Sequence, residues 1–491
     1  MTLLCKPNAR RDRHIAALAS QVMDAPTAMA AGAPYGRLLA VAREEVAAAE
    51  TYARRHAGTR RARHLIASAH RTFLLRLVKA DEAARRHRSR QKQRGETLHG
   101  PAHPAAVVRL AWNLRPEEAS REPATLLILP KGAAETVTDD GRWRSLTAET
   151  SRPVVRYGFE HRTRQRIVAW CAGLQHQIHP AQFATKGRGL AEMWRHIAGA
   201  LDSGFRHFAI FDIADCFGSF DAEAALPLLR LPRRLIAHSA TGLSARFNHD
   251  RKGGPSEARG QGQDVFPEEE QVFISLQRSM MDRTTRGLPQ GSAASGILAN
   301  ILLAPVFDAV PDDVRVFAYC DDILILAQDQ KALTRGVTAL EASLTAGRLP
   351  GAFQTRNKGK GFLPLRGRPD RFFEFCGARF DMQRGKVQVG PSARALTRAD
   401  DRLSKLCRLT ACYEAADDRL IATLRAFLVR FPAWRGRSAF AKQVAEEWDG
   451  ARWERSMIPA SGFLACPEEE RWACRVLRLT DVRQLSPAHP P

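Results

Sequence analysis

The chain has 491 residues, with 75 Lys and Arg against 52 Asp and Glu, a formal net charge of +23. A hydrophobic share of 44% excludes a disordered protein, and the length calls for about two to four domains. No segment approaches the ~18 uninterrupted apolar residues of a membrane span, and the nine cysteines lack framework spacing, which excludes a bundle of membrane helices and a secreted disulfide scaffold. Met1 to Lys6 lacks the apolar core and cleavage site of a secretory signal, so a cytoplasmic protein with reduced thiols is expected. The positive excess points to a polyanionic partner, nucleic acid first, ahead of the blander reading of a chain that uses Arg as its default surface residue.

Residues 1–123 are rich in Ala, Arg and Glu. Arg37 to Arg94 has helical texture, with apolar positions at Leu38, Leu39, Val41, Leu65, Ile66, Phe73, Leu74, Leu75 and Leu77. Its crowd of arginines, from Arg54 to Arg94, reads either as a solvated helical face or as a phosphate-contacting extension. Thr125 to Lys131 is a short strand ended by Pro130, followed by a hairpin or loop to Ser151 and a helix over Arg162–Leu174. Phe208 to Ile213 is a compact apolar run expected of a buried strand. Residues 250–264 form a Gly-rich polar insertion, 298–303 are helical, 314–326 are two apolar runs interrupted by Asp321-Asp322, and 392–450 return to helix. The middle of the chain therefore mixes strands and helices, an α+β class.

Three segments carry chemistry. Asp321 and Asp322 sit between apolar runs, an arrangement suited to a hairpin whose turn holds both acids; such acids are costly unless exposed or neutralised by a cation. Asp212 ends the earlier apolar run, and if the two strands are neighbours Asp212 and Asp321 converge on one edge. Carboxylate oxygens are the donors Mg²⁺ accepts. Between them, Arg286 to Asn300 (RGLPQGSAASGILAN) is a Pro- and Gly-built loop leading into a helix, with Ser292 or Ser295 available as its cap.

In order and content these segments resemble the reverse transcriptase superfamily. Phe211-Asp212-Ile213, with Cys216-Phe217, resembles its first palm motif; Leu288 to Ser295, with Ala299-Asn300, the second; and Tyr319-Cys320-Asp321-Asp322 the third. The likeness extends over about residues 124–450 and is nearest to bacterial enzymes of the group II intron, retron-like and defence-associated kinds. It implies a right-hand polymerase fold: a basic helical N-terminal extension (1–123), fingers (124–207), a palm with an antiparallel sheet (208–390), a helical thumb (391–455) and a tail (456–491).

The resemblance also implies roles. Asp212, Asp321 and Asp322 would be catalytic and, with the Ile213 carbonyl, hold Mg²⁺ or Mn²⁺. Lys131, Arg152, Asp215, Phe217, Gln290, Gly291, Lys358 and Lys360 would surround the deoxynucleotide, with Phe217 as a steric gate against the 2′-hydroxyl. Gly187, Arg188, Tyr319, Ala378 and Arg379 would contact nucleic acid. The implied partners are an RNA template, a DNA or RNA primer and a dedicated non-coding RNA. After a thumb ending near residue 450 too little chain follows for a ribonuclease H domain, and Cys407/Cys412 and Cys466/Cys474 have poor zinc spacing. The implied activity is RNA-directed DNA synthesis in the bacterial cytoplasm, with use against phage as what family analogy adds. Two alternatives stand beside it: untemplated or protein-primed synthesis, with Tyr35, Tyr52 and Tyr413 as priming candidates, and a non-catalytic RNA-binding scaffold.

Overall fold

The computed structural model describes residues 9–93, 99–130, 151–185, 187–249, 267–347, 349–364, 371–410 and 415–457. Lys131, most of the 132–151 loop, the 250–264 insertion, Cys412, Tyr413, Cys466, Cys474 and the tail from 458 lie outside the described residues.

Five helices come first: α1 (Ala9–Met23), α2 (Ala28–Arg55), α3 (Arg60–Ala69), α4 (Phe73–Gln93) and α5 (Pro104–Asn113). Their starts follow from capping: Thr27 accepts the Ala30 N–H at 3.1 Å and Thr59 the Ala62 N–H at 3.2 Å. Helix α1 buries Ile15, Leu18, Ala19 and Val22, the spacing of one apolar stripe. These helices share a core with the rest of the molecule: Leu38, Leu75 and Leu77 belong to the same cluster as Ile167 and Val168 of α6 (Phe159–Gln175) and Ile323 of the central sheet. Buried Arg164 pins the junction, donating to Glu160 and to the carbonyls of Arg115 and Glu118.

Strands β1 (Ala124–Pro130) and β2 (Ser151–Arg156) pair antiparallel, and β4 (Phe247–His249) adds in parallel to β1; the connection read as a hairpin or loop lies outside the described residues. After α6 come α7 (Leu190–Asp202), β3 (His207–Ile213) and three short helices, α8 (Cys216–Ser219), α9 (Ala222–Ala225) and α10 (Arg233–Ser239). Helices α11 (Pro267–Arg286) and α12 (Ser295–Asp308) flank the 287–294 loop. Strands β5 (Val314–Tyr319) and β6 (Asp322–Ala327) follow, then α13 (Gln330–Thr345) and β7 (Thr355–Phe362). The β8–β9–β10 meander (Phe372–Phe375, Ala378–Gln383, Lys386–Pro391) leads into α14 (Ala393–Thr410), α15 (Ala415–Arg430) and α16 (Arg437–Met457).

The central sheet has the order β5-β6-β3-β7 and is antiparallel throughout. Its two middle strands are covered on both faces, which is why they read as near-continuous apolar runs. Ala209, Phe211, Ile213, Ile323 and Ile325 face the large core with the N-terminal helices, α6 and α12. Phe208, Ile210, Leu324 and Leu326 face a second core made with α7 and the β8–β10 meander. The fold is α+β, with a helical N-terminal region. Among the described residues no helix is long and apolar enough to cross a membrane.

One local expectation is corrected. Neither Ser292 nor Ser295 caps α12: the N-cap is Ala294, without a side-chain bond. Ser295 instead donates to the Pro289 carbonyl at 2.8 Å, and Ser292 accepts the Ala294 N–H at 3.2 Å. Both hydroxyls tighten the loop, a competing use typical of serine.

Candidate active site

Sheet register brings the acids together. Asp212 of β3 pairs directly with Asp322 of β6, and Cys320-Asp321 form the two-residue turn between β5 and β6. Cys320 has φ +57°, the left-handed conformation tight hairpin turns demand. The ladder continues through the turn, because Ile213 N–H donates to the Asp321 carbonyl at 3.0 Å. Asp212 and Asp322 share parity with Ile210 and Leu324, so both point to the side of the second core.

Lys358 meets them there. Its Nζ lies 3.2 Å from Asp212 Oδ1 and 2.6 Å from Asp322 Oδ1. The register of β7 on β3 slips between Ile210 and Phe211, so that Gly359 pairs with Ile210 and Asn357 with Phe211; Lys358 is the extra residue of this bulge. Burial by itself would lower the Lys358 pKa, but its hydrogen bond to Asp322 and the charges of Asp322 and Asp212 outweigh that and raise it. Burial raises the Asp321 pKa, with further push from Asp322 and Asp212. Lys360 pairs with Ala209, further back along β3.

The donor set is all oxygen, from carboxylates that repel one another, which is the chemistry a hard divalent cation relieves. Among the described residues no group of three or more His, Cys, Asp and Glu side chains is arranged to enclose an ion. Asp212 and Asp322 are bridged by an ammonium. The residues thus fit a divalent cation in chemistry, while the countercharge present in the fold is Lys358.

The 287–291 loop ties into β2 and α8. Val155 N–H donates to the Gln290 carbonyl at 2.7 Å. Gly291 has φ +96°, and a Cβ there would fall 2.3 Å from the Val155 carbonyl oxygen, so only glycine fits. Arg152 lies on β2, exposed on the same face as Arg156. Phe217, half-buried in α8, accepts the Leu288 N–H on its carbonyl at 2.8 Å. Asp215 sits in a left-handed conformation, φ +46°, with its carboxylate 3.6 Å from Arg283.

Other expected contacts fall differently. Gly187 is exposed at φ +86°, but the Arg188 guanidinium turns inward. It donates to the Pro180 and Gln182 carbonyls at 2.8 and 3.2 Å and lies 3.8 Å over the Phe183 ring. Ala378 is fully buried, which removes its methyl from any primer, and Arg379 pairs with Asp381 and covers Phe372. Tyr319 is half-buried, and burial raises its pKa. Tyr35 is buried and donates to Asp81 at 2.7 Å, which removes it as an exposed priming nucleophile.

The sequence places Cys376 in a segment, Phe373 to Phe380, that resembles the superfamily's primer-grip hairpin, and assigns it no part beside the acids. In the β8–β9 turn, at φ +47°, its Sγ lies 3.8 Å from Asp322 Oδ2, and burial followed by the Asp322 charge raises its pKa. The two Asp322 oxygens are thereby divided between Lys358 and Cys376. The signal was a turn-forming Cys-Gly pair in a segment otherwise alternating aromatic and polar.

Three solved structures are similar over part of the chain. Telomerase from Candida albicans, solved with a fragment of telomeric RNA, is 11% identical over 73% of this chain and 64% of that one, with a TM-score of 0.30. Telomerase from Candida tropicalis, truncated from the C-terminal domain, is 10% identical over 56% of each chain, TM-score 0.30. The RNA-dependent RNA polymerase of bacteriophage phi12 is 13% identical over 69% of this chain and 54% of that one, TM-score 0.32. The chain thus spans 54–64% of the length of these structures. No curated protein matches it. Residues 264–350, which hold the 287–291 loop, α12 and the Asp321-Asp322 hairpin, match the family model of reverse transcriptase (RNA-dependent DNA polymerase).

Proposed function

We propose that this chain is an RNA-directed DNA polymerase that extends a DNA or RNA primer along an RNA template by adding dNTPs to a 3′-hydroxyl. The observation that carries the reading is the register of Asp212 against Asp322 beside the turn holding Asp321, the two turn-side acids lying inside the stretch 264–350 that matches the reverse transcriptase family. In this reading 124–207 are fingers, 208–390 palm and 391–455 thumb. Use of the activity against phage rests on the resemblance alone.

Asp212 and Asp321, with the Ile213 carbonyl, would hold Mg²⁺ or Mn²⁺. A divalent cation held there would supply Lewis-acid stabilisation of the charge that develops on the 3′-oxygen and on the phosphate oxygens. Asp322 keeps Lys358 at the site, its ammonium available to phosphate oxygens once a nucleotide arrives. Arg152, exposed on β2, reaches for the triphosphate as a planar donor. The Gln290–Gly291 backbone shapes the pocket for the base pair, and the Phe217 ring excludes a 2′-hydroxyl by volume.

The test is primer extension by the purified chain with Mg²⁺, dNTPs and an RNA template. Asp321→Ala and Asp212→Ala should each abolish incorporation without changing the far-UV circular dichroism. Near-normal synthesis by either variant overturns the assignment. Incorporation of single dNTPs by nucleic-acid-free protein would instead indicate untemplated synthesis.

A further inference from the structure

The Phe217 carbonyl is bonded, and closely approached, by the loop that follows the C-terminal end of α11. We infer that Gly287 and Arg283 are positioning residues for the Phe217 gate and set how strictly the enzyme excludes ribonucleotides. The inference rests on Phe217 being the sugar gate, as proposed above.

Two contacts define the arrangement. The first is backbone to backbone. Leu288 N–H donates to the Phe217 carbonyl at 2.8 Å, and this approach exists because residue 287 has no side chain. A Cβ at Gly287 would stand 2.5 Å from the Phe217 carbonyl oxygen, 2.8 Å from the Arg283 oxygen and 2.9 Å from Gly218 Cα. All three are main-chain atoms, so no rotamer change relieves the crowding. Helix α8 and the loop would have to part by about half an ångström.

The second contact is electrostatic. Asp215 opens α8 in the left-handed conformation, which a non-glycine residue adopts at a cost. Its carboxylate folds back over Gly218, where a Cβ would fall 2.4 Å from Oδ2. The outer side of the same oxygen faces Arg283 Nη1 at 3.6 Å. Arg283 thus holds the turn from which the gate residue is presented.

The support is itself anchored. A Cβ at Gly242 would lie 2.3 Å from the Thr284 carbonyl, so α11 is packed close on a second backbone segment. Leu276 and Met280 of α11 share a core cluster with Leu126 and Val155 of β1 and β2. The gate therefore stands on an element continuous with the strand that carries Arg152. Steric exclusion of one hydroxyl depends on clearances of tenths of an ångström, so small movements of this support change discrimination more than they change binding of the smaller sugar.

The experiment compares kcat/KM for dATP and ATP on one primer and template, with a melting curve for each protein. The set is Phe217→Ala, Arg283→Gln, Arg283→Lys and Gly287→Ala. Phe217→Ala should raise the ATP-to-dATP efficiency ratio. Arg283→Gln and Gly287→Ala should raise the same ratio about tenfold, with dATP efficiency changing less. Arg283→Lys, which keeps a cation for Asp215, should restore most of the parental ratio. Should Gly287→Ala fail to fold, the Arg283 pair decides alone. A folded Arg283→Gln protein with the parental ratio, beside a Phe217→Ala protein with a raised one, overturns the inference and leaves the gate standing. If Phe217→Ala itself keeps the parental ratio, the gate reading fails and takes the inference with it.

Discussion

Replacing Tyr35 with Phe separates a structural role from a priming role. Tyr35 lies in α2 with its hydroxyl donating to Asp81 Oδ1 at 2.7 Å, and Asp81 is 2% exposed. Burial first, and the Asp81 charge second, push the phenol pKa far up, so it remains a neutral donor. Asp81 also receives Arg43 at 3.0 Å and Arg88. Phe preserves the volume, and Asp81 keeps both guanidiniums, so the loss is one hydrogen bond to a charged acceptor at the low end of its range, about 1.5 kcal/mol. Asp81→Ala removes the acceptor from Tyr35, Arg43 and Arg88 together and should cost about 3–5 kcal/mol. Urea unfolding followed by tryptophan fluorescence gives both figures, and primer extension on RNA with the same proteins reads initiation. Tyr35→Phe should unfold earlier and initiate normally. An unchanged unfolding midpoint together with lost initiation would refute the reasoning and return Tyr35 to the priming candidates.

Gly291→Ala must push the loop off β2 or strain the backbone at φ +96°, and should lower kcat/KM for dNTPs about 10–100-fold, measured by steady-state extension. Arg152→Ala should raise the KM for dNTPs, whereas Arg188→Ala should cost about 1–2 kcal/mol of stability and leave RNA affinity unchanged, because its guanidinium already serves the Pro180 and Gln182 carbonyls. Changing the exposed Arg54, Arg55, Arg60, Arg61 and Arg63 to Gln should flatten the salt dependence of RNA binding by about one unit of slope per lost phosphate contact; an unchanged titration supports a solvated face. Arg76 and Lys79 of the same basic run should not contribute, since one donates to the Leu114 carbonyl and the other pairs with Glu82.

What was legible in the sequence is what depends on near neighbours. Apolar runs around Asp321-Asp322 require a hairpin with its acids at the turn, and the loop's Gly and Pro permit only a narrow set of backbone shapes. Helix and strand textures followed from periodicity, which is local by nature. The remainder depended on distant pairing. That Asp212 faces Asp322 is a matter of register between strands far apart in the chain, and the bulge that aims Lys358 at both acids leaves no mark on the residues around it. An arginine in a helical run carries the same local pattern whether it meets solvent, a phosphate or a buried carbonyl. Only the packing of α4 and α5 decided that Arg76 is internal while Arg61 is exposed. The packing of helices α1 to α4 into one core with the central sheet, the inward turn of Arg188 and the burial of Tyr35 and Ala378 have the same cause. A side chain's surroundings are set by which elements stack, and that choice is made by the summed burial of the whole chain rather than by any segment of it.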